Sequence, residues 1–237
     1  MKTNQVKSVG FDGLHRCGKG TQIRLLGNYL NKRGIKSVIV RGDGTRKGLG
    51  LSPEDPYSVW WQEHYKSFFK ENRTPEENKY LSNLVYSRLT REAREIMDKL
   101  RRSNESGALL MDRTFVSRWF VKRQQESSIS LEDAVYTIDP ETNRRVSPLI
   151  PDRTYIIHVQ LEELLKRVEN SSDSPEKKQF RLNNLIKYSE DFERLLDELP
   201  SYFMGGEIKI IDGNNSPEKM HEEILRYGRD KNDSTLD

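Results

Sequence analysis

The sequence has a single cysteine, Cys17, among 237 residues. Disulfide frameworks need pairs and cysteine-based zinc sites need several thiolates, so both are excluded. No apolar run approaches the ~20 residues that a membrane-spanning helix requires. The first residues, Met-Lys-Thr-Asn-Gln-Val-Lys, lack the apolar stretch of a secretory signal. The expectation is a cytoplasmic chain with no membrane partner. A strong charge imbalance is also missing, because 40 Lys and Arg stand against 37 Asp and Glu, a net +3. The cations are spread along the chain, which suits an anionic ligand and leaves nucleic acid open as a partner without arguing for it. No internal repeat is visible, and the length suits one domain with a single core.

What the chain does have is organised around residues 6–22. Val6–Phe11 is a short apolar run of strand type, and it leads into Gly13-Leu-His-Arg-Cys-Gly18-Lys19-Gly20-Thr21. Gly-x-x-x-x-Gly-Lys is the spacing of a phosphate-binding P-loop. Glycines let backbone N–H groups curl around an anion, and the following helix points its positive end at the same place. The segment from Gly13 through Leu14, His15, Arg16, Cys17, Gly18, Lys19 and Gly20 to Thr21 is therefore the candidate nucleotide cradle, with Lys19 reaching the outer phosphates. The bland alternative is a simple strand-to-helix connector. Context favours the cradle, since an amphipathic helix (Ile23, Leu25, Leu26, Tyr29, Leu30) follows and Gly34 stands at a C-cap position. Lys19-Gly20-Thr21 departs from the usual Lys-Ser/Thr, so Thr21 or water must provide the hydroxyl beside Mg²⁺.

Further strands are expected at 36–40, 107–112, 154–160 and 207–211, each alternating with helices. That pattern predicts an α/β P-loop NTPase fold, a five-stranded parallel sheet flanked by helices on both faces. Gly107–Asp112 ends in an acid in the manner of a Walker B strand, where Asp112 can hold Mg²⁺ directly or through water. Arg41 begins a glycine-rich basic loop at the carboxyl end of the second strand, where ligands of open sheets sit. Residues 53–71 are dense in aromatics, which at helical spacing more often mark a buried face or a dimer contact than a base-stacking platform. Thr74-Pro-Glu-Glu starts a long helix that carries Arg88. Residues 114–125 and 130–138 are helix candidates, 139–152 a long loop, and His158 a sheet histidine. Residues 169–181 have the composition of a lid, 180–199 form a helix, and 229–237 a disordered tail after a single domain over 1–228.

In order and spacing these segments resemble the thymidylate kinase family over nearly the whole chain. Phe11-Asp-Gly-Leu-His-Arg-Cys-Gly-Lys-Gly-Thr-Gln22 is similar to its phosphate loop, Tyr86-Ser-Arg88 to its Ala-x-Arg, and Asp112-Arg-Thr-Phe-Val-Ser117 to its Asp-Arg-Tyr/His-x-x-Ser. The resemblance implies a kinase using ATP and Mg²⁺ that converts dTMP and ATP to dTDP and ADP. Arg88 would read the base, Arg41 and Arg113 would clamp the acceptor phosphate, and Asp112 with Thr21 would serve the metal. Lys19, Arg16, Asp112 and Arg113 are the expected catalytic set, and Asp12 and His15 lie on the acceptor side. Family analogy adds a homodimer through the apolar residues of 81–100 and 115–121.

The departures concern the acceptor. His15 stands where the family has an aspartate that holds the sugar 3′-hydroxyl, and an imidazole suits a different sugar or an extra phosphate better. Residues 42–50 lack the family's usual pattern. A second reading keeps the fold but phosphorylates a nucleoside, a modified nucleotide or a nucleotide within DNA. A third is a P-loop module that binds nucleotide without transferring phosphate.

Overall fold

The computed structural model describes residues 6–41, 46–47, 74–103 and 106–229. The aromatic stretch 53–71, most of the basic loop after Arg41 and residues 230–237 of the expected tail lie outside the described residues.

β1 (Val6–Asp12) feeds α1 (Lys19–Lys32), which returns to β2 (Lys36–Arg41). The α1 residues Ile23, Leu26 and Leu30 recur at helical spacing, and all three are buried against the sheet. After β3 (Arg46–Lys47) comes the long α2 (Pro75–Arg102), followed by β4 (Gly107–Asp112) and α3 (Phe115–Arg123). α4 (Leu131–Val135) leads to a hairpin of β5 (Thr137–Asp139) and β6 (Arg144–Val146). Then come β7 (Arg153–His158), α5 (Leu161–Glu169), α6 (Pro175–Glu198), β8 (Tyr202–Phe203), β9 (Gly206–Asp212) and α7 (Pro217–Arg229).

The main sheet runs β3-β2-β4-β1-β7-β9-β8. Its five inner strands are parallel, as expected, and short antiparallel edges at β3 and β8 make seven. Each edge strand is two residues long, too short for an alternating pattern to reveal it. β4 shows why both faces are covered. Ala108 and Leu110 pack with α1, whereas Leu109 and Met111 pack with Leu89, Ala93 and Ile96 of α2. α3 and α6 join in a third cluster around Phe115, Trp119, Phe192 and Leu195.

Other differences from expectation have local causes. The 139–152 segment is not all loop, because β5 and β6 pair as a hairpin in which Asn143 takes a positive φ of 52°. The helix expected over 130–138 stops at Val135, where Tyr136 turns extended and enters that hairpin. The helix expected from 180 begins at Pro175, since the Ser174 hydroxyl accepts from the Lys177 N–H and proline fits the first turn. Leu84, Leu89, Ile96, Phe115, Val116 and Trp119, invoked for a dimer contact, are buried within the chain. Arg229 of the expected tail closes α7.

β1 lies between β4 and β7, so successive crossovers leave it in opposite directions. The carboxyl end of β1 is the topological switch point, where a crevice opens above the sheet. The P-loop occupies that point.

Candidate active site

Two glycines shape the approach. A Cβ on Gly10 would come within 2.2 Å of Thr114 Cγ2, so glycine here lets the start of α3 press on β1. Gly13 has φ +134°, and a Cβ there would meet the Ile157 carbonyl oxygen at 2.4 Å. The chain then turns through Arg16 (φ 63°) and Gly18 (φ 104°) before α1 begins. α1 starts with neither a side-chain cap nor an acid in its first turn. Its N–H groups and positive end therefore face the cleft without an internal anion.

His15, Arg16, Gly18, Lys19, Gly20 and Thr21 line one cleft with Asp112 and Arg113. Lys19 folds back, its Nζ donating to the carbonyl oxygens of Gly13 at 2.8 Å and Leu14 at 2.9 Å. Leu14 is half-buried against the core. Cys17 is buried in the core behind the loop, where its Sγ accepts from Lys19 Nζ at 3.5 Å and its N–H is directed at the Leu14 carbonyl at 3.4 Å. Thr21 offers a hydroxyl on the first turn of α1.

Asp12 anchors the start of α3 beside the cleft. Its buried carboxylate accepts from the Thr114 N–H at 2.8 Å and from the hydroxyls of Thr114 and Ser117. Asp12 thus holds the start of α3 against β1 and meets the cleft through Ser117, whose hydroxyl also receives Arg113 Nη1 at 3.3 Å. Arg113 has φ 81°. Left-handed backbone at a non-glycine residue costs about 1 kcal/mol or more and collects at functional sites. Here it occurs at two cleft arginines, Arg16 and Arg113.

Asp112 ends β4 level with Arg41 of β2 and Phe11 of β1. The Arg41 side chain lies outside the described residues. Arg88 is not among the residues lining the cleft. It pairs with Glu141 Oε2 at 2.6 Å, beside the β5–β6 hairpin. The residue of that segment which does line the cleft is Tyr86.

Sequence reasoning missed Asp173. Its Oδ2 accepts from Arg16 Nη2 on the P-loop and Arg181 Nη1 on α6, as well as from Ser171 Oγ at 2.9 Å. A carboxylate between two guanidiniums stands where an anionic ligand group would otherwise be drawn. The only signal in sequence was the run of lid cations, which says nothing of which acid would meet them. Arg167 adds a further tie, donating to the Gly213 carbonyl at 2.9 Å and the Arg16 carbonyl at 3.4 Å.

The cations govern His15. Desolvation in the cleft wall, then repulsion from Arg113, Lys19, Arg181 and Arg16, bring its pKa down to about 4. At neutral pH the ring is neutral and can donate one hydrogen bond and accept another.

The set fits a magnesium nucleotide. It offers uncapped helix N–H groups, a lysine and two arginines for phosphates, and one carboxylate at a strand end. Among the described residues no group of three or more metal-ligating side chains occurs. Mg²⁺ keeps waters and takes phosphate oxygens alongside one or two carboxylates, and Asp112 is a carboxylate at the strand end in this cleft.

No protein-family model matches the chain. It is similar to the thymidylate kinase of Thermoanaerobacter sp. (strain X514), with 23% identity over 222 residues covering 92% of this chain and 95% of that one. Among solved structures, the thymidylate kinase of Ehrlichia chaffeensis superposes with a TM-score of 0.53 and 17% identity, covering 94% of this chain and 98% of that one. That of Candida albicans gives 0.56 and 15%, covering 98% and 94%. Among the described residues, no helix is long and apolar enough to cross a membrane.

Proposed function

From the premise that this chain is a divergent member of the thymidylate kinase family, we propose that it transfers the γ-phosphoryl group of ATP to a nucleoside monophosphate, with dTMP the first acceptor to test. The observation that carries the reading is the single cleft in which P-loop, Walker B and Asp-Arg-x-x-x-Ser residues converge, in a chain similar to thymidylate kinases over nine-tenths of its length.

Phosphoryl transfer demands alignment and charge neutralisation more than covalent help from the protein. The amides at the start of α1 and the Lys19 ammonium hold the ATP phosphates, with Lys19 leaving the Gly13 and Leu14 carbonyls to do so. Arg16 and Arg181 exchange Asp173 for the transferring group and offset its charge. Arg113, steadied by Ser117, holds the acceptor phosphate, a role assigned also to Arg41, the last residue of β2. Asp112 and Thr21 would hold Mg²⁺, which supplies charge neutralisation at the phosphate oxygens when bound. Segment 169–181, with its Asp173 contacts, serves as the lid of a single catalytic domain.

The test is ADP formation from Mg–ATP with a panel of deoxy- and ribonucleoside monophosphates, nucleosides and single-stranded DNA, and Lys19→Ala as the blank. Turnover on dTMP supports the reading as stated. Turnover confined to another acceptor keeps the phosphotransferase and changes its substrate. ATP binding without turnover on any acceptor overturns it in favour of a binding module.

The second of these outcomes has its own observations. Arg88, assigned to the base by resemblance, is paired with Glu141 away from the cleft lining, and His15 is a neutral imidazole where the family has a carboxylate.

A further inference from the structure

The cleft has a second cationic end that the scheme above does not use. Arg118 follows Ser117 on α3 and is only 3% exposed, yet it lines the cleft. Its Nη1 donates to Ser82 Oγ at 2.7 Å, and its Nη2 to Thr137 Oγ1 at 3.1 Å and to Asn83 Oδ1. The guanidinium lies 5.1 Å from the centroid of the Tyr86 ring. All of these partners are neutral. The Nε–H is buried with no hydrogen-bond partner, and no carboxylate among the described residues pairs with the group.

Lys122 lies one helical turn further along and also lines the cleft, as does Lys79 of α2. Burial, then repulsion from Arg118 and Lys79, brings the Lys122 pKa down to about 8, against the opposing pull of Glu126. Burial likewise brings Arg118 down to about 10, with Tyr86 opposing.

A buried cation without a counter-charge is costly, because its lost hydration is not offset by an opposite charge. A strut between α3, α2 and β5 needs hydrogen bonds but no charge, and glutamine would make such bonds without the penalty. The penalty is relieved when a ligand brings the missing negative group. The place is suited to an acceptor. Arg118 is the neighbour of Ser117, whose hydroxyl meets Arg113 at the phosphate clamp.

We propose that Arg118 and Lys122, with Lys79 at the rim, form an anion subsite for a second acidic group of the acceptor. This group is a phosphate or carboxylate remote from the phosphate that receives the transferred group. The proposal rests on the phosphotransferase reading and specifies its substrate class: acceptors with two separated negative groups rank above dTMP. Tyr86 packs beside the subsite and gives a flat apolar wall to the ring that joins the two anions.

Equilibrium titration of the full chain tests it. The probes are dTMP, thymidine 3′,5′-bisphosphate, 5′-phosphorylated dithymidylate and 5-carboxy-dUMP, each also assayed for ADP formation. The expected result is a preference of about tenfold or more over dTMP for one or more of the three probes that carry a second acidic group, as one charge-assisted contact supplies. Preference for the bisphosphate or dinucleotide assigns a further phosphate, and preference for the carboxylated base assigns a carboxylate. Lys122→Met should cut the ratio several-fold. Arg118→Gln should abolish it, with circular dichroism checking the fold. Equal or tighter binding of dTMP than of all three overturns the subsite, as does a ratio that survives Lys122→Met. Preferential binding without ADP formation on any probe would support the subsite while sinking the phosphotransferase reading.

Discussion

Helix α2 begins at Thr74 with a complete capping box. The Thr74 hydroxyl accepts from the Glu77 N–H at 3.2 Å, the Glu77 carboxylate accepts from the Thr74 N–H at 2.9 Å, and Glu76 and Glu77 place acids in the first turn. Helix α1 begins at Gly18 with none of these. Both termini present unpaired N–H groups and a partial positive charge, and each has a different remedy. α2 satisfies its terminus from its own sequence, so the cap itself serves stability. α1 leaves its terminus uncapped, and Lys19, Arg16 and Arg181 line the same cleft. An unfinished helix end is then a functional observation only because of that company.

The largest way to break the comparison is Lys19→Ala. It removes the cation that answers the P-loop anion, and ADP formation should fall by about 10³-fold. Circular dichroism should remain that of the parent, since Lys19 bonds only groups of its own loop, the Gly13 and Leu14 carbonyls and the Cys17 sulfur. A rate within tenfold of the parent would detach α1 from the chemistry.

Asp173→Asn comes next. The lid carboxylate engages both Arg16 and Arg181 through partly exposed ion pairs. An incoming nucleotide must displace it. Freeing the arginines should tighten ATP binding by about fivefold, the worth of a partly exposed pair. Weaker binding, measured by calorimetry, would mean that Asp173 positions the arginines and does not compete for them.

Thr74→Ala tests the other terminus. Loss of the cap should cost about 1 kcal/mol, lowering the melting temperature by roughly 2–4 °C for a chain of this length. The turnover number should stay as it was, because the bonds lost are internal to the cap.

The smallest effect is the pH response of His15. The folded pKa of about 4 lies below the ordinary 6.5, so the unfolded chain binds the proton more readily. The stabilising contribution of the neutral ring is complete above about pH 6.5 and is lost as pH falls toward 4. Denaturant titrations of the parent and His15→Asn should converge across that window, the parent losing more stability than the variant on acidification. Bound ATP supplies negative charge and should raise the His15 pKa, visible as a shift of its ring proton titration by NMR.

Legibility differed between the two termini in the same way. Thr74-Pro-Glu-Glu announces a helix start because the cap is made by residues three apart in sequence. Gly13–Lys19 announces a phosphate loop for a related reason, since its backbone turns rely on glycines at set spacing. Asp112 and Arg113 were legible from an apolar strand ending in charge, and the structure sets them in the cleft with Lys19. Arg88 was not, because no local pattern says which way a long side chain on a helix will swing, and it meets Glu141, 53 positions away. Asp173 and Arg118 were equally silent, the first bonded to Arg16 across 157 positions and the second to Ser82 across 36.

The sequence by itself determined what neighbouring residues can decide among themselves. The strands declare themselves by apolar runs, the helices by period and caps, the phosphate loop by glycine spacing, and the order of elements implies a parallel sheet. Tertiary structure decided the rest. It tied Asp12 to Thr114 and Ser117, placed an acid of the lid between two arginines, and buried Arg118 beside the cleft among neutral hydrogen-bond partners. Those outcomes depend on distances between residues far apart in the chain. A charge acquires its partner, its pKa and its cost only when the fold fixes what surrounds it.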